Sequence, residues 1–365
     1  MKNMIGNMKL RKQKSERGFT LVEAMVSMAI GLVVLAAMAS LFKTAMNSTL
    51  LVTQRAETQQ NMRAAMDLMV KDLSLAGAGL PSGGIQLPTG AGSSASKFGC
   101  DQAGACHIPA HNYPNANYLY GIIPGFNNGV EANAVIPAAP APAINDSITA
   151  IYCDYNFPLW EYSVAFTVPG NGGSITLAPI ASFVPPPPAL NGAGGIQVGD
   201  LIMLSNSLGN AVGEVTNVTP TVILFTDLDP LNINQSGAAS NNIKAISGGA
   251  PTTAYRLFAV TYYLTVPGAG QTPRLMRQVN GLTPVPVADD IINLQFAYDV
   301  YNSLTSALDP NQANPLGVAE SPNNIQKINL IVMGQSLTNN GNQAQNMYLA
   351  TDVSARNMAF RNRYQ

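Results

Sequence analysis

The sequence predicts an α+β chain: one long N-terminal helix laid on a mostly antiparallel, β-rich C-terminal body. Three observations carry this. Phe19–Phe42 is a 24-residue apolar run with one charge, Glu23. The helical pattern then continues without proline as far as Pro81. Beyond residue 146 the chain turns to short segments in which several alternate apolar and polar residues.

The helix is expected from Thr20 to Ala76, roughly 85 Å at 1.5 Å per residue. Its first half, about 19–42, is long enough to cross a hydrocarbon core of about 30 Å. Its second half is amphipathic. Met62, Met66, Met69 and Leu73 fall at i, i+4, i+7 and i+11 on one face. Glu57, Arg63, Asp67 and Lys71 occupy the other side, with Arg63–Asp67 and Asp67–Lys71 at i, i+4. Gly77, Gly79 and Pro81 supply the stop. The apolar face needs a partner, and the C-terminal body is the nearest one.

The chain has 365 residues and a net charge of −1, with only 11% charged residues; an average globular protein has about 25%. No basic excess points to nucleic acid. The charge is unevenly placed. Residues 1–18 hold six cations (Lys2, Lys9, Arg11, Lys12, Lys14, Arg17) and one acid, Glu16. Basic residues before a membrane segment stay cytoplasmic, so the C-terminal bulk is expected on the far side. The run is longer than the apolar core of a secretory signal, and it lacks a convincing small-x-small cleavage site with a loop after it, because the helical pattern simply continues. Three parts are therefore expected: a basic leader, 1–18; a helix, 19–80; and a β-rich body, 81–365.

Within the body, residues 81–146 are rich in Gly, Pro, Ala, Ser and Asn and are expected as long loops. "IPAAPAPA" (136–143) and "PPPP" (185–188) read as extended polyproline-type stretches. Strands are expected at 147–153, 162–168, 174–178, 200–206, 212–218, 221–227, 255–266, 291–300 and 326–337. A sheet of such strands would cover the apolar face of the helix.

"RGFTLVE" (17–23) resembles the type IV pilin signal: a basic leader, Gly, then Phe-Thr-Leu-x-Glu opening a membrane-length helix. The resemblance implies cleavage between Gly18 and Phe19 by a prepilin peptidase, and N-methylation of Phe19. It also implies that Glu23 pairs with the Phe19 amine of a neighbouring subunit. A carboxylate at mid-bilayer depth costs on the order of 3 kcal/mol, less near the interface, and is a functional hypothesis by default. The alternative is a carboxylate solvated by headgroups. "KDLSLAGAG", "VGDLIMLSN", "VADDIINLQFAYDV", "INLIVMGQSL" and "RNMAFRNR" narrow the resemblance to PilW-like minor pilins, with PulJ-like type II secretion pseudopilins nearby. That resemblance implies a role in initiating pilus assembly, with a place at the fibre tip among its expectations, and adhesion and twitching motility as the activities served. Its implied partners are other minor and major pilins, the prepilin peptidase, the inner-membrane assembly machinery and membrane lipid. Its implied location is the inner membrane, with the C-terminal domain periplasmic, and then the fibre. A membrane-anchored periplasmic binder or adhesin is the rival of another class, and an anchored hydrolase the third.

Three cysteines, Cys100, Cys106 and Cys153, allow three single pairings, and an exported domain favours one disulfide. Cys100–Cys106 closes the shortest loop. Cys100, Cys106, His107 and His111 also form a weak zinc pattern, with a C-x5-C gap that is too wide. Asp309, Asn311 and Glu320 sit at positions 1, 3 and 12 of a calcium-like loop, but Asn314 replaces its glycine, and a turn is the simpler expectation. Asp289–Asp290 likewise suits a solvated turn. Neither metal nor cofactor is expected. Trp160, Tyr113, Tyr118 and Tyr120 suit core packing or a contact surface. With two histidines in loop-like sequence and neither a G-x-S-x-G nor a phosphate-binding loop, no enzyme activity is expected.

Overall fold

The computed structural model describes residues 18–88, 95–113, 118–129, 144–167, 173–268, 271, 273–316, 321–336 and 345–359. The chain divides into two compact units, Met1–Gln54 and Arg55–Gln365. Helix α1 runs Leu21–Leu75, one residue inside the expectation at each end.

In the first unit α1 buries no apolar stripe. Phe19, Leu21, Leu32, Val33 and Leu41 are all more than two-thirds exposed. A helix apolar on every side has no wet face to offer, which is the composition of a membrane span. This segment is long and apolar enough to cross a membrane.

In the second unit α1 is one-sided. Thr58, Met62, Ala65, Met66, Met69, Asp72 and Leu73 are buried, while Glu57, Arg63, Asp67 and Lys71 are exposed. The helix ends at Gly77 and Gly79, whose φ values of +80° and +73° suit glycine. A Cβ on Gly79 would also come within 2.6 Å of the Cys153 sulfur.

The body contains seventeen described strands. They are β1 (Ile85–Gln86), β2 (Tyr118–Leu119), β3 (Ile122–Gly125), β4 (Ser147–Asp154), β5 (Tyr162–Thr167) and β6 (Gly173–Pro179). Next come β7 (Leu201–Asn206), β8 (Gly209–Glu214), β9 (Asn217–Val218), β10 (Val222–Phe225), β11 (Thr253–Thr265) and β12 (Arg274–Val279). The last are β13 (Val285–Asp289), β14 (Ile291–Asn302), β15 (Ala307–Gln312), β16 (Ile325–Ser336) and β17 (Gln345–Ser354), followed by a short helix α2, Arg356–Ala359.

Every pairing among these strands is antiparallel. The seven-stranded sheet runs β13-β12-β11-β4-β3, with β7 also on β11 and β8 on β7. Two four-stranded sheets, β5-β6-β10-β9 and β15-β14-β16-β17, are separate from it in pairing, and β1-β2 forms a small pair. The 13-residue β11 organises the large sheet. Its first residues pair with β7, its middle with β4 and its end with β12.

Alternation along β11 divides two cores. Val260, Tyr262 and Leu264 face the core that holds α1, β14 and β16. Leu257, Ala259 and Tyr263 face a second core with Ile85, Leu87 and the segment around Cys100. Because both faces are covered, β4 is buried at all eight positions, its polar Ser147, Thr149 and Asp154 included. A third core joins β5, β6 and β10 to β7 and β8. Helix α1 approaches β16 where Gly334 removes a side chain: a Cβ there would meet the Met62 sulfur at 2.6 Å.

Several expectations need correction. Residues 81–146 are not loops alone: β1, β2 and β3 lie there, and bridges join Lys97 to Asn112 and Cys100 to Cys106. Their short runs and interspersed glycines hide the period-2 signal. The segment 212–218 is two strands, β8 and β9, not one. Strands β12, β13, β15 and β17 were not anticipated. The Asp309–Asn311 turn is instead part of β15, reconciled with its sequence by a register shift opposite Tyr298–Val300 and a positive φ at Asn311. Glu320, leader residues 1–17 and "IPAAPAPA" lie outside the described residues.

Candidate functional site

The start of α1 is built from its own sequence. Thr20 is the cap: its hydroxyl oxygen accepts from the Glu23 amide at 3.3 Å, and its carbonyl accepts from the Ala24 amide at 3.1 Å. A threonine followed three residues later by glutamate is a capping-box pattern, and an acid in the first turn also suits the positive end of the helix dipole. The Ser27 hydroxyl donates to the Glu23 carbonyl at 2.7 Å. Gly18, Phe19 and Glu23 are all exposed. Glu23 is thus the only charge on an apolar rod until Lys43, and its carboxylate lies at the rod's first turn.

The other end of α1 carries a buried polar junction that the sequence reading missed. Asp72 shares the helix face of Met62, Met69 and Leu73 and is 3% exposed. Its carboxylate accepts from the Tyr152 hydroxyl at 3.0 Å, the Tyr262 hydroxyl at 2.6 Å and Arg277 Nε at 2.9 Å. These donors come from β4, β11 and β12, so one helix carboxylate ties three strands. Burial, then the Asp72 charge, pushes both tyrosine hydroxyls far above their ordinary range, so they stay protonated donors. Burial works against the Arg277 charge, but Asp72 outweighs it and holds the guanidinium protonated. The available signal was position: Asp72 lies three residues past Met69 on the apolar stripe, where an acid needs a partner. Beside this junction a groove of about 820 Å³ is lined by Leu68, Lys71, Tyr155, Phe258, Val285 and Val287, among others.

Cys100 and Cys106 are bonded to each other. Asp101 organises that loop by accepting from the Ala103 and Ala105 amides at 2.9 and 3.1 Å and pairing with His107 Nε2 at 3.0 Å. Burial raises the Asp101 pKa, but these hydrogen bonds and the His107 charge outweigh it and leave it lowered. With both sulfurs in the bridge, the four-residue zinc pattern offers no thiolate. His111 lies 3.4 Å from the Ile108 carbonyl. Among the described residues no group of three His, Cys, Asp or Glu side chains is placed to hold a metal. Cys153 is a buried thiol outside the bridge.

A second buried polar group also escaped sequence reading. Glu214 ends β8, accepts from the Leu231 amide at 3.0 Å and from the Gln102 side chain, and shares a hydrogen bond with Asp229. Asp229 accepts from the Ile233 and Asn234 amides at 2.8 and 2.9 Å. Burial, then the adjoining Asp229, pushes Glu214 up to about 9, so this pair holds a proton at neutral pH. It ties the disulfide loop, through Gln102, to β8 and the turn after it.

The aromatic residues divide. Tyr113 is buried against Phe98, their ring centroids 5.3 Å apart. Tyr118 stacks on Tyr120 at 5.6 Å, and Trp160 tilts over Tyr155 at 6.1 Å. Asp289 pairs with Arg274 at 2.6 Å, and Asp309 accepts from the Asn302 side chain at 2.7 Å.

Residues 13–39 match the family model described as the prokaryotic N-terminal methylation motif. The match spans the end of the leader, the Gly18–Phe19 junction, Thr20 and Glu23. The chain therefore carries a type IV pilin-like prepilin signal. Neither a curated protein nor a solved structure matches the chain.

Proposed function

We propose that this chain is a PilW-like minor pilin of a type IV pilus, a structural and non-enzymatic subunit that takes part in initiating fibre assembly. The methylation-motif match carries the broader part of this reading: a pilin or pseudopilin-like protein, processed by a prepilin peptidase and assembled with other pilins. In the finer reading, cleavage after Gly18 leaves a methylated Phe19 amine. The exposed first half of α1 sits in the inner membrane with the β-rich body on the periplasmic side. It then exchanges lipid for the helices of neighbouring subunits.

Glu23 supports this reading through its position. A carboxylate in the first turn of an otherwise apolar rod is tolerable in a helix bundle only when paired. The Phe19 amine of a neighbour supplies the matching charge, and the pair fixes helix register. Intact mass and N-terminal sequencing test the processing step: the expected mature start is methyl-Phe19, and a retained leader refutes it. Glu23→Ala is expected to insert in the membrane normally but to be lost from sheared fibres. If the cap at Thr20 is the whole role of Glu23, the Gln variant inserts and assembles like the parent. Under the pairing reading, Gln fails with Ala.

A further inference from the structure

We infer that the outer edge of β17 is a docking site for an extended backbone segment of a different subunit, which joins the β15-β14-β16-β17 sheet as a fifth strand. This rests on the pilin reading, in which the chain has neighbours in a fibre.

β17 spans ten residues, about 33 Å of strand. It pairs with β16 from Lys327↔Ser354 to Ser336↔Gln345 without a break in register. Among the described residues nothing pairs with its other side. A strand edge offers a row of outward amides and carbonyls on alternate residues, and what satisfies such a row is another strand.

Three of the other sheet edges are guarded, and β5, an edge without such a device, has only six residues against the ten of β17. β3 has Pro124, β13 has Pro286 and a register shift, and β15 has Pro310 and a register shift. Each device removes a donor or bends the edge away from a newcomer. β17 has no Pro, Gly or Lys in its ten residues, and its only charge is Asp352.

The side chains on both faces suit an added strand. On one face Met347 and Leu349 are half-buried against the α1 core, so a neighbour's apolar residue would complete their cover. On the other, Tyr348 is 74% exposed and Ile331 of β16 is 47% exposed. Ile331 pairs with Ala350, and Met333 with Tyr348, so these lie on one face. The occupant is therefore apolar on both faces where it passes Met347, Tyr348 and Leu349. Charge adds direction. Lys327 lies 3.4 Å from Asp352 and 4.0 Å from Asp299, one cation against two acids. A basic residue of the incoming segment belongs at the Asp352 end, and an acid is disfavoured there.

Hydrogen exchange on the full chain tests this by comparing sheared fibres with the detergent-solubilised subunit. The expected result is at least tenfold slower exchange of the outward β17 amides in fibres, with the amides facing β16 slow in both states. A photoreactive phenylalanine analogue at Tyr348, and separately at Ala350, should crosslink to residues two apart on one extended segment of another subunit. Unchanged exchange in a chain that does co-purify with fibres overturns the β17 assignment and leaves the pilin reading standing. A ladder joining two β17 strands overturns the assignment to a different subunit. A chain absent from fibres and assembly complexes removes both readings.

Discussion

Replacing Asp72 by asparagine keeps the size of the side chain and removes its charge. The structure sets the cost. Tyr152, Tyr262 and Arg277 all donate to this carboxylate, and Asp72 is 3% exposed. The amide can accept from only part of that set, and its NH2 group faces donors. Arg277 keeps its charge without a counter-ion. Breaking a buried ion pair from one side costs about 3–5 kcal/mol. The Arg277 side chain is 23% exposed, so water recovers part of that, and the lower figure of about 3 kcal/mol is the better expectation. For a body of this size, that corresponds to a fall in Tm of about 5 °C. Thermal unfolding of the full chain in detergent, followed by near-UV circular dichroism and Trp160 fluorescence, measures it. The double variant Asp72→Asn/Arg277→Met removes the stranded charge and should recover part of the loss. A single variant within about 1 kcal/mol of the parent, or a double variant worse than the single, would refute the idea that Asp72 is a charged hub.

Two other perturbations read the remaining polar groups. Glu214 binds its proton in the folded state up to about 9 and in the unfolded state only up to its ordinary value of 4.5. Its contribution is therefore fully present below about 4.5 and is lost as pH rises toward 9, with a limiting slope of about 1.4 kcal/mol per pH unit. Glu214→Gln should flatten that decline and overtake the parent in Tm near pH 9; an unchanged pH profile would mean that the pair is not proton-linked. The Cys100–Cys106 bridge spans a sequence separation of six, and the loop it closes is worth about 2 kcal/mol. Cys100→Ser/Cys106→Ser should unfold at lower denaturant with an unchanged m value, whereas loss of the fold altogether would show that the bridge holds more than its own loop.

The N-terminal helix was legible to within a residue at each end because its signals are local: an apolar run, an amphipathic stripe and two glycines that stop it. The buried face of Met62, Met66, Met69 and Leu73 followed from periodicity alone. The strands missed were those with unfavourable local chemistry. β13 and β15 contain proline, and β17 places Gln345 and Thr351 on its inner face and Tyr348 on its outer one, which blurs its apolar–polar pattern in sequence. The processing residues were readable as a motif, but Thr20 as the cap that orders Glu23 became visible only once helix geometry placed the two within a turn.

By itself the sequence determined the rod, its greasy half, the acid in its first turn and the β-rich character of the C-terminal body, since these depend on residues within a few turns or strands of one another. Tertiary structure decided the rest. Asp72 meets Arg277 across 205 residues, Gln102 reaches Glu214 across 112, and the unguarded edge of β17 exists only because β16 takes its other side. Such groups are fixed by which strands pair, and strand pairing joins segments whose local patterns are nearly interchangeable.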